Sequence, residues 1–223
     1  MMRRPALLVL DVNETLSDMA PMGDRFEAVG LPASLAKTWF ASLLRDGFAV
    51  AAAGGTEKFA HLGAEGLRVL LAGHDLDRPL EEAVEHIMTG FTELEVHPDV
   101  PDGIRALDDL GIRLVTLSNG TASVAERLLE RAGLRHHFEA LLSVEDAGVW
   151  KPAPASYAYA LEVCRVEAED AMLVAVHPWD THGARRAGLA AAWINRTSGH
   201  HPAYFARPDL EAGSLTALAE MLR

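Results

Sequence analysis

Five short apolar runs punctuate the chain. They are Ala6–Asp11 (ALLVLD), Ile112–Asn119 (IRLVTLSN), Glu139–Val144 (EALLSV), Asp170–Val176 (DAMLVAV) and Ala191–Asn195 (AAWIN). Each is shorter than a typical helix and apolar throughout rather than alternating. That pattern predicts strands buried on both faces. Helical patterns separate them at Asp102–Leu110, Ser123–Ala132, Pro154–Arg165 and Thr181–Ala187. Gly111, Gly133 and Gly188 stand just past three of these, where glycine commonly stops a helix. The βαβα rhythm predicts an α/β fold, a Rossmann-like parallel sheet sandwiched by helices.

The rhythm breaks between residues 18 and 96. This stretch has no convincing strand, and its helical patterns fall at Ala33–Leu44, Glu57–Leu71 and Leu80–Leu94. Ala51–Glu57 and Ala72–Pro79 read as its turns. The expected partition is a core of residues 1–17 plus 97–223 and a helical insertion of residues 18–96. Val96–Gly103 (VHPDVPDG) reads as the connector back, with Asp102 as a helix cap. Ser198–Pro202 (SGHHP) reads as a surface loop rather than a metal site, since no acidic or cysteine partner stands at ligand spacing.

Charge and cysteine content narrow the function. A formal charge of -12 argues against sequence-independent nucleic-acid binding, because phosphates are repelled. Cys164 is the only cysteine, so an internal disulfide is impossible and a cysteine-based zinc site implausible. The first residues, MMRRPALLVLD, differ from a secretory leader because the apolar run is short and meets an acid. No apolar stretch approaches the roughly 20 residues needed to span a bilayer. The expectation is a cytoplasmic protein with no membrane segment, acting on a small molecule.

Candidate chemistry gathers at the strand ends, where open parallel sheets bind ligands. The first run ends in Asp11, followed by Asn13 and Thr15. The second ends in Ser118 and Asn119. Lys151 follows the third, and His177, Trp179 and Asp180 follow the fourth. This set permits covalent catalysis by a carboxylate, with Asp11 attacking carbon or phosphorus. Lys151 would keep Asp11 ionised. Ser118 and Asn119 would donate to the substrate or leaving group. Asp180 would pair with Lys151 or position water.

These segments resemble the four motifs of the haloacid dehalogenase (HAD) superfamily: DVNETL, LSNG, KP, and WDTHGARRAG followed by WINR. The resemblance covers nearly the whole chain and identifies the insertion as a helical cap domain. Most members are magnesium-dependent phosphatases with Asp-x-Asp in the first motif, the second acid protonating the leaving group. Here that second acid is Asn13. The sequence is more similar to the type II L-2-haloacid dehalogenases, which need neither metal nor second acid. Their aspartate displaces halide from the α-carbon of a small 2-haloalkanoic acid, and water cleaves the ester to a 2-hydroxy acid. The resemblance implies Asp11 as nucleophile and Ser118, Lys151 and Asp180 as catalytic partners. It implies Thr15, Asn119, Tyr157 and Trp179 around the substrate, no cofactor, and a homodimer through cap helices.

The sequence departs from that family at three places. If Trp39 is registered on the family's cap tryptophan, Leu31 replaces an arginine that binds halide or substrate carboxylate. Lys37, Arg25 and Arg45 are the nearby cations. Asn13 replaces an aromatic residue. Ala175 and His177 replace a serine and an asparagine, and His177 is read as a donor or cation facing Asp11. The alternatives are a Mg²⁺-dependent phosphatase-like hydrolase and a non-catalytic HAD scaffold.

Overall fold

A computed structural model describes residues 3–223. In chain order the elements are β1 (Leu7–Leu10), α1 (Met22–Glu27), α2 (Leu35–Ala52), α3 (Phe59–Leu71), α4 (Leu80–Thr92) and α5 (Val100–Asp109). Then come β2 (Arg113–Ser118), α6 (Ala122–Arg131), β3 (Ala140–Ser143), α7 (Val144–Ala147), α8 (Pro154–Cys164) and β4 (Ala171–Ala175). The last are α9 (Pro178–Arg186), β5 (Ala190–Ile194), β6 (Leu210–Ala212) and α10 (Leu215–Met221). The chain forms two compact units. One holds the residues up to Ser17 together with Glu95–Arg223, and the other is Asp18–Leu94.

The first unit is built on one sheet of order β3-β2-β1-β4-β5-β6. Every pairing is parallel. β1 lies inside the sheet between β2 and β4, and its four residues are buried because helices cover both faces, which suits its continuous apolar run. One apolar face packs on the helices through Leu8, Leu10, Ile104, Leu107, Leu128 and Leu218. The chain turns one way from β1 to β2 and the other way to reach β4. That reversal opens a crevice beyond the carboxyl ends of β1 and β4. Asp11 and His177 lie at those two ends.

The second unit is helical. Trp39 anchors it, with its ring 6.1 Å from Phe26 and 5.9 Å from Phe91, and its indole N–H donating to Gly63 O at 2.9 Å. Apolar residues at helical spacing on α2, α3 and α4 turn one face of each inward, which gives a small helix-on-helix core.

Several boundaries differ from the periodicity. α2 runs on to Ala52, because alanine is the strongest helix former and carries the helix into the expected turn. Asp102 does not cap α5. The helix starts at Val100 with proline in its first turn, and Asp102 sits inside that turn, paired with Arg105. α9 starts at Pro178 rather than Thr181, which puts Asp180 in its first turn. α1, β6 and α10 are additional. Gly111, Gly133 and Gly188 do follow helices in the left-handed region that glycine enters freely (φ 73°, 68° and 93°).

Candidate active site

Asp11 is the residue immediately after β1. It is 3% exposed, and its backbone N–H donates to Val174 O of β4 at 3.0 Å. That bond ties the acid to the two central strands. Its two carboxylate oxygens have different partners. Lys151 Nζ donates to Oδ1 at 2.9 Å, and Thr15 Oγ1 donates to Oδ2 at 2.6 Å. Thr15 Oγ1 in turn accepts from Val176 N at 3.1 Å, so its one proton is committed to Asp11.

Lys151 has no solvent exposure. Its ammonium bridges two acids, with Asp180 Oδ2 at 2.6 Å on the other side. Asp180 Oδ1 accepts the Tyr157 phenol at 2.6 Å. Tyr157 is therefore fully buried with its hydroxyl satisfied by a carboxylate. This contact needs Gly183. A Cβ there would lie 2.5 Å from Tyr157 Oη and 2.6 Å from Pro152 Cβ. The glycine of WDTHG is thus a steric requirement of the site.

Electrostatics follow from this burial. Burial opposes charge on Asp11, but the Lys151 ammonium, His177 and the Thr15 hydroxyl together outweigh it. They hold the carboxyl below the usual carboxylate range. Burial works against the Lys151 charge as well, and Asp11 and Asp180 more than offset it, so its pKa is raised. For Asp180, burial and the nearby Asp11 charge prevail over Lys151 and Tyr157 and push its pKa up. Burial and the Asp180 charge push Tyr157 well above the ordinary phenol, so it remains a donor. The nucleophile candidate is the acid that keeps its charge most readily.

Other expected site residues fall around this centre. Ser118 Oγ accepts from Gly120 N at 2.9 Å, which leaves its proton available to a ligand. Asn119 lies beside the lysine backbone. Its side chain accepts from Lys151 N at 2.9 Å and donates to Lys151 O at 3.3 Å. It braces the lysine, with one amide hydrogen left over, rather than presenting its whole amide to a substrate. Asn13 is 7% exposed, and its backbone carbonyl lies 3.2 Å from His177 Nε2. His177 Nε2 also lies 3.8 Å from Asp11 Oδ2 and 3.6 Å from Glu14 Oε2. Trp179 is not a core residue. It is half-buried, stacks on His177 at 5.0 Å and 20°, and lies 5.9 Å from Lys151 Nζ.

Sequence reasoning passed over Arg196, His97 and Asp99. Arg196 was visible as the last letter of WINR. His97 and Asp99 had no signal, because their partners, the Glu14 carbonyl for one and the Arg196 side chain and Leu215 N for the other, are far away in sequence.

In the helical unit, Leu31 is 4% exposed and belongs to the core. Of the three cations near it in sequence, Arg25 pairs with Glu93 at 2.6 Å and Arg45 with Asp46 at 2.8 Å, while Lys37 is exposed.

The donor set does not fit a divalent cation. Magnesium wants a near-octahedral shell of oxygens. Here an ammonium already sits between the two acids, and Asp180's remaining oxygen takes a phenol. Among the described residues no group of three histidine, cysteine, aspartate or glutamate side chains is placed to hold a metal.

The family model of haloacid dehalogenase-like hydrolases matches residues 6–188. The (S)-2-haloacid dehalogenase of Pseudomonas sp. (strain YL) is 33% identical over 149 residues, 67% of this chain and 63% of that protein. A phosphoserine phosphatase of Thermus thermophilus is 36% identical over 149 residues, 64% of this chain and 59% of that protein. In both cases the match spans less than two thirds of the relative's length. A crystal structure of an L-2-haloacid dehalogenase superposes with a TM-score of 0.92 at 26% identity, covering 99% of each chain.

Proposed function

Because the chain belongs to the haloacid dehalogenase-like hydrolases, we propose that it is a metal-independent 2-haloacid dehalogenase with Asp11 as nucleophile. One observation carries this reading. The Lys151 ammonium occupies the space between Asp11 and Asp180, and Asn13 stands where a leaving-group acid would be needed. The site has a charged nucleophile and a neutral amide, not an acid, two residues after it. An alkoxide leaving group needs a proton, whereas a halide leaves as a stable anion without one.

In the first step an Asp11 oxygen attacks the α-carbon from the side opposite the halogen. The new C–O bond forms as the carbon–halogen bond breaks, halide departs, and the centre inverts. Lys151 and Thr15 hold the two carboxylate oxygens in fixed directions, which supplies the orientation that an in-line attack demands. In the second step water adds to the ester carbonyl of Asp11. The 2-hydroxy acid leaves, one proton is released to solvent, and the carboxylate is restored. Ser118 and the spare Asn119 hydrogen are the donors for oxygen charge that develops on the way. Asp180 is the anchor of Lys151, since both its oxygens already accept hydrogen bonds.

Of the two anions the absent cap arginine would meet, halide and substrate carboxylate, His177 suits the second. A departing halide moves directly away from the attacking oxygen. A group 3.8 Å from Asp11 Oδ2 flanks the near side of the carbon, so it suits the substrate carboxylate instead. A small anionic substrate would thus have the Lys151 ammonium behind Asp11 and the His177 ring beside it, in a protein whose overall charge is -12. Helices α1–α4 would then act as the cap. A cytoplasmic location fits a chain with one buried free cysteine and, among the described residues, no helix long and apolar enough to cross a membrane.

The test is halide release from 2-chloropropionate in the presence of EDTA, with Asp11→Asn as control. Single turnover in ¹⁸O water should place label in the Asp11 carboxylate. A second reading, a phosphatase acting on a small phosphate ester, is favoured by the phosphoserine phosphatase relative. Turnover of an aryl phosphate that depends on added magnesium, with no halide release, would select it.

A further inference from the structure

The loop after Asp11 is held by an unusual set of straps. Three consecutive carbonyls each meet a different side chain. His177 Nε2 lies 3.2 Å from Asn13 O, His97 Nε2 lies 3.0 Å from Glu14 O, and Arg196 donates to Thr15 O at 2.8 Å. Glu14 between them has φ 61°, in the left-handed region that residues with a Cβ adopt only when their surroundings hold them there. Local hydrogen bonds from Leu16 N and Ser17 N to Val12 O shape the turn, and groups from elsewhere in the fold hold its outward carbonyls.

Of the three straps, Arg196 is anchored most firmly. Its other terminal nitrogen donates to Asp99 Oδ1 at 2.6 Å, and Asp99 Oδ2 accepts from Leu215 N at the start of α10 at 2.8 Å. The guanidinium and the carboxylate are 16% and 18% exposed. Arg196 Nε is buried with no hydrogen-bond partner. A planar fork fixes two directions at once, and here both are used: one towards Asp99 and one towards Thr15. The same place joins the two connectors of the inserted unit. Ser17 bridges Val96, and His97 N donates to Leu16 O at 2.9 Å.

Resting on the reading of Asp11 as nucleophile, we propose that Arg196 is a positioning residue for it, acting through Thr15. The chain of contacts is continuous. Asp99 fixes the guanidinium, the guanidinium fixes the carbonyl of residue 15, and the backbone there sets where Thr15 Oγ1 points. That hydroxyl donates to Asp11 Oδ2 at 2.6 Å and accepts from Val176 N. Arg196 itself never touches the carboxylate. Its loss would let residue 15 shift, turning the Asp11 oxygens off the line of attack while leaving the substrate's other contacts in place.

The experiment compares Arg196→Lys and Asp99→Asn with Arg185→Ala. The last severs another arginine–aspartate pair of the same unit, Arg185 to Asp209 at 2.7 Å, away from Asp11. Halide release gives kcat and KM, thermal melting gives stability, and hydrogen exchange at the Val176 amide reports the Thr15 hydroxyl without any substrate. Arg196→Lys should lower kcat by roughly 10- to 100-fold, as about an ångström of misplacement does, with KM within about threefold. Val176 exchange should quicken relative to amides of β1 and β2. Asp99→Asn should move both readouts the same way and by less, and it carries the test if Arg196→Lys does not fold. Arg185→Ala should lower the melting temperature with kcat unchanged. Full kcat in Arg196→Lys, Val176 exchange unaltered, or an equal loss of kcat in Arg185→Ala overturns the proposal. If the wild-type protein releases no halide, it is the dehalogenase reading that fails, and Val176 exchange alone decides the strap.

Discussion

Replacing Lys151 by methionine tests the centre of the site most directly. Methionine is close in length and fits an apolar environment, so the change removes the charge rather than the volume. In the wild-type protein one ammonium satisfies both Asp11 Oδ1 and Asp180 Oδ2, with no exposure to solvent. Without it, two carboxylates share a buried pocket with no counter-charge. Removing one partner of such a buried set costs about 3–5 kcal/mol. Protonating Asp180, whose pKa is already raised, relieves part of that cost, but Asp11 also loses the largest influence that keeps it ionised, and a protonated Asp11 is not a nucleophile. Since about 1.4 kcal/mol is tenfold in rate, kcat at neutral pH should fall by roughly 10²- to 10⁴-fold. The pH profile adds a sign. Burial opposes the Asp11 charge, and Lys151, His177 and Thr15 together hold its pKa below the usual range. Wild-type activity should therefore persist down into the acid region and be lost only as pH falls through that lowered value. On the alkaline side, the raised Lys151 value keeps the ammonium charged well past neutrality. In the methionine variant the acid limb should move up towards neutral pH. Halide release from 2-chloropropionate across the pH range, with a melting curve to establish folding, measures both. A folded variant with kcat within tenfold of wild type and an unmoved acid limb would refute the argument.

Two further substitutions probe the shell behind that lysine. Tyr157→Phe deletes the 2.6 Å donor to Asp180 Oδ1. A hydrogen bond to a charged group contributes about 1.5–3 kcal/mol, so melting temperature should drop and kcat fall about tenfold, with KM little changed. Gly183→Ala places a Cβ 2.5 Å from Tyr157 Oη and 3.0 Å from Pro152 O. Overpacking of this kind costs about 1–3 kcal/mol, and if the clash is relieved by moving Tyr157, kcat should fall as it does in Tyr157→Phe. The two changes share one mechanism, so the double variant should lose much less than the sum of the single losses.

The parallel sheet was legible because its strands are apolar on both faces, and two-sided burial leaves continuous runs such as LLVL with no alternation to confuse them. The side chains gathered at the candidate site were legible for a related reason. Each follows a strand end directly or within a short connection, so reading polar residues after apolar runs collects Asp11, Ser118, Lys151 and Asp180. What was hidden depended on partners. Trp179 and Tyr157 have the same aromatic character in sequence, yet one half-faces solvent on His177 and the other is buried against Asp180. Asn119 looked like a substrate ligand, and only its position beside the Lys151 backbone shows where its amide is used. β6 was missed because it has three residues, one of them exposed, and it is a strand only by pairing with β5.

Asn13 and Lys151 are best understood together. In a site that must protonate an alkoxide, a second acid beside the nucleophile is an asset. For a halide it is a liability, because a like charge nearby raises the energy of the ionised Asp11 and no proton is called for. Replacing that acid by a neutral amide removes a negative charge from beside Asp11, whose fully buried counter-charge is the Lys151 ammonium it shares with Asp180. The ammonium is fixed by covalent attachment, by the Asn119 amide on its backbone and by Asp180 on its far side, so its direction towards Asp11 needs no ligand to complete it. Substitution of Asn13 by aspartate should therefore depress halide release, because a second carboxylate beside Asp11 raises the energy of its ionised form; unchanged halide release in a folded variant would refute this.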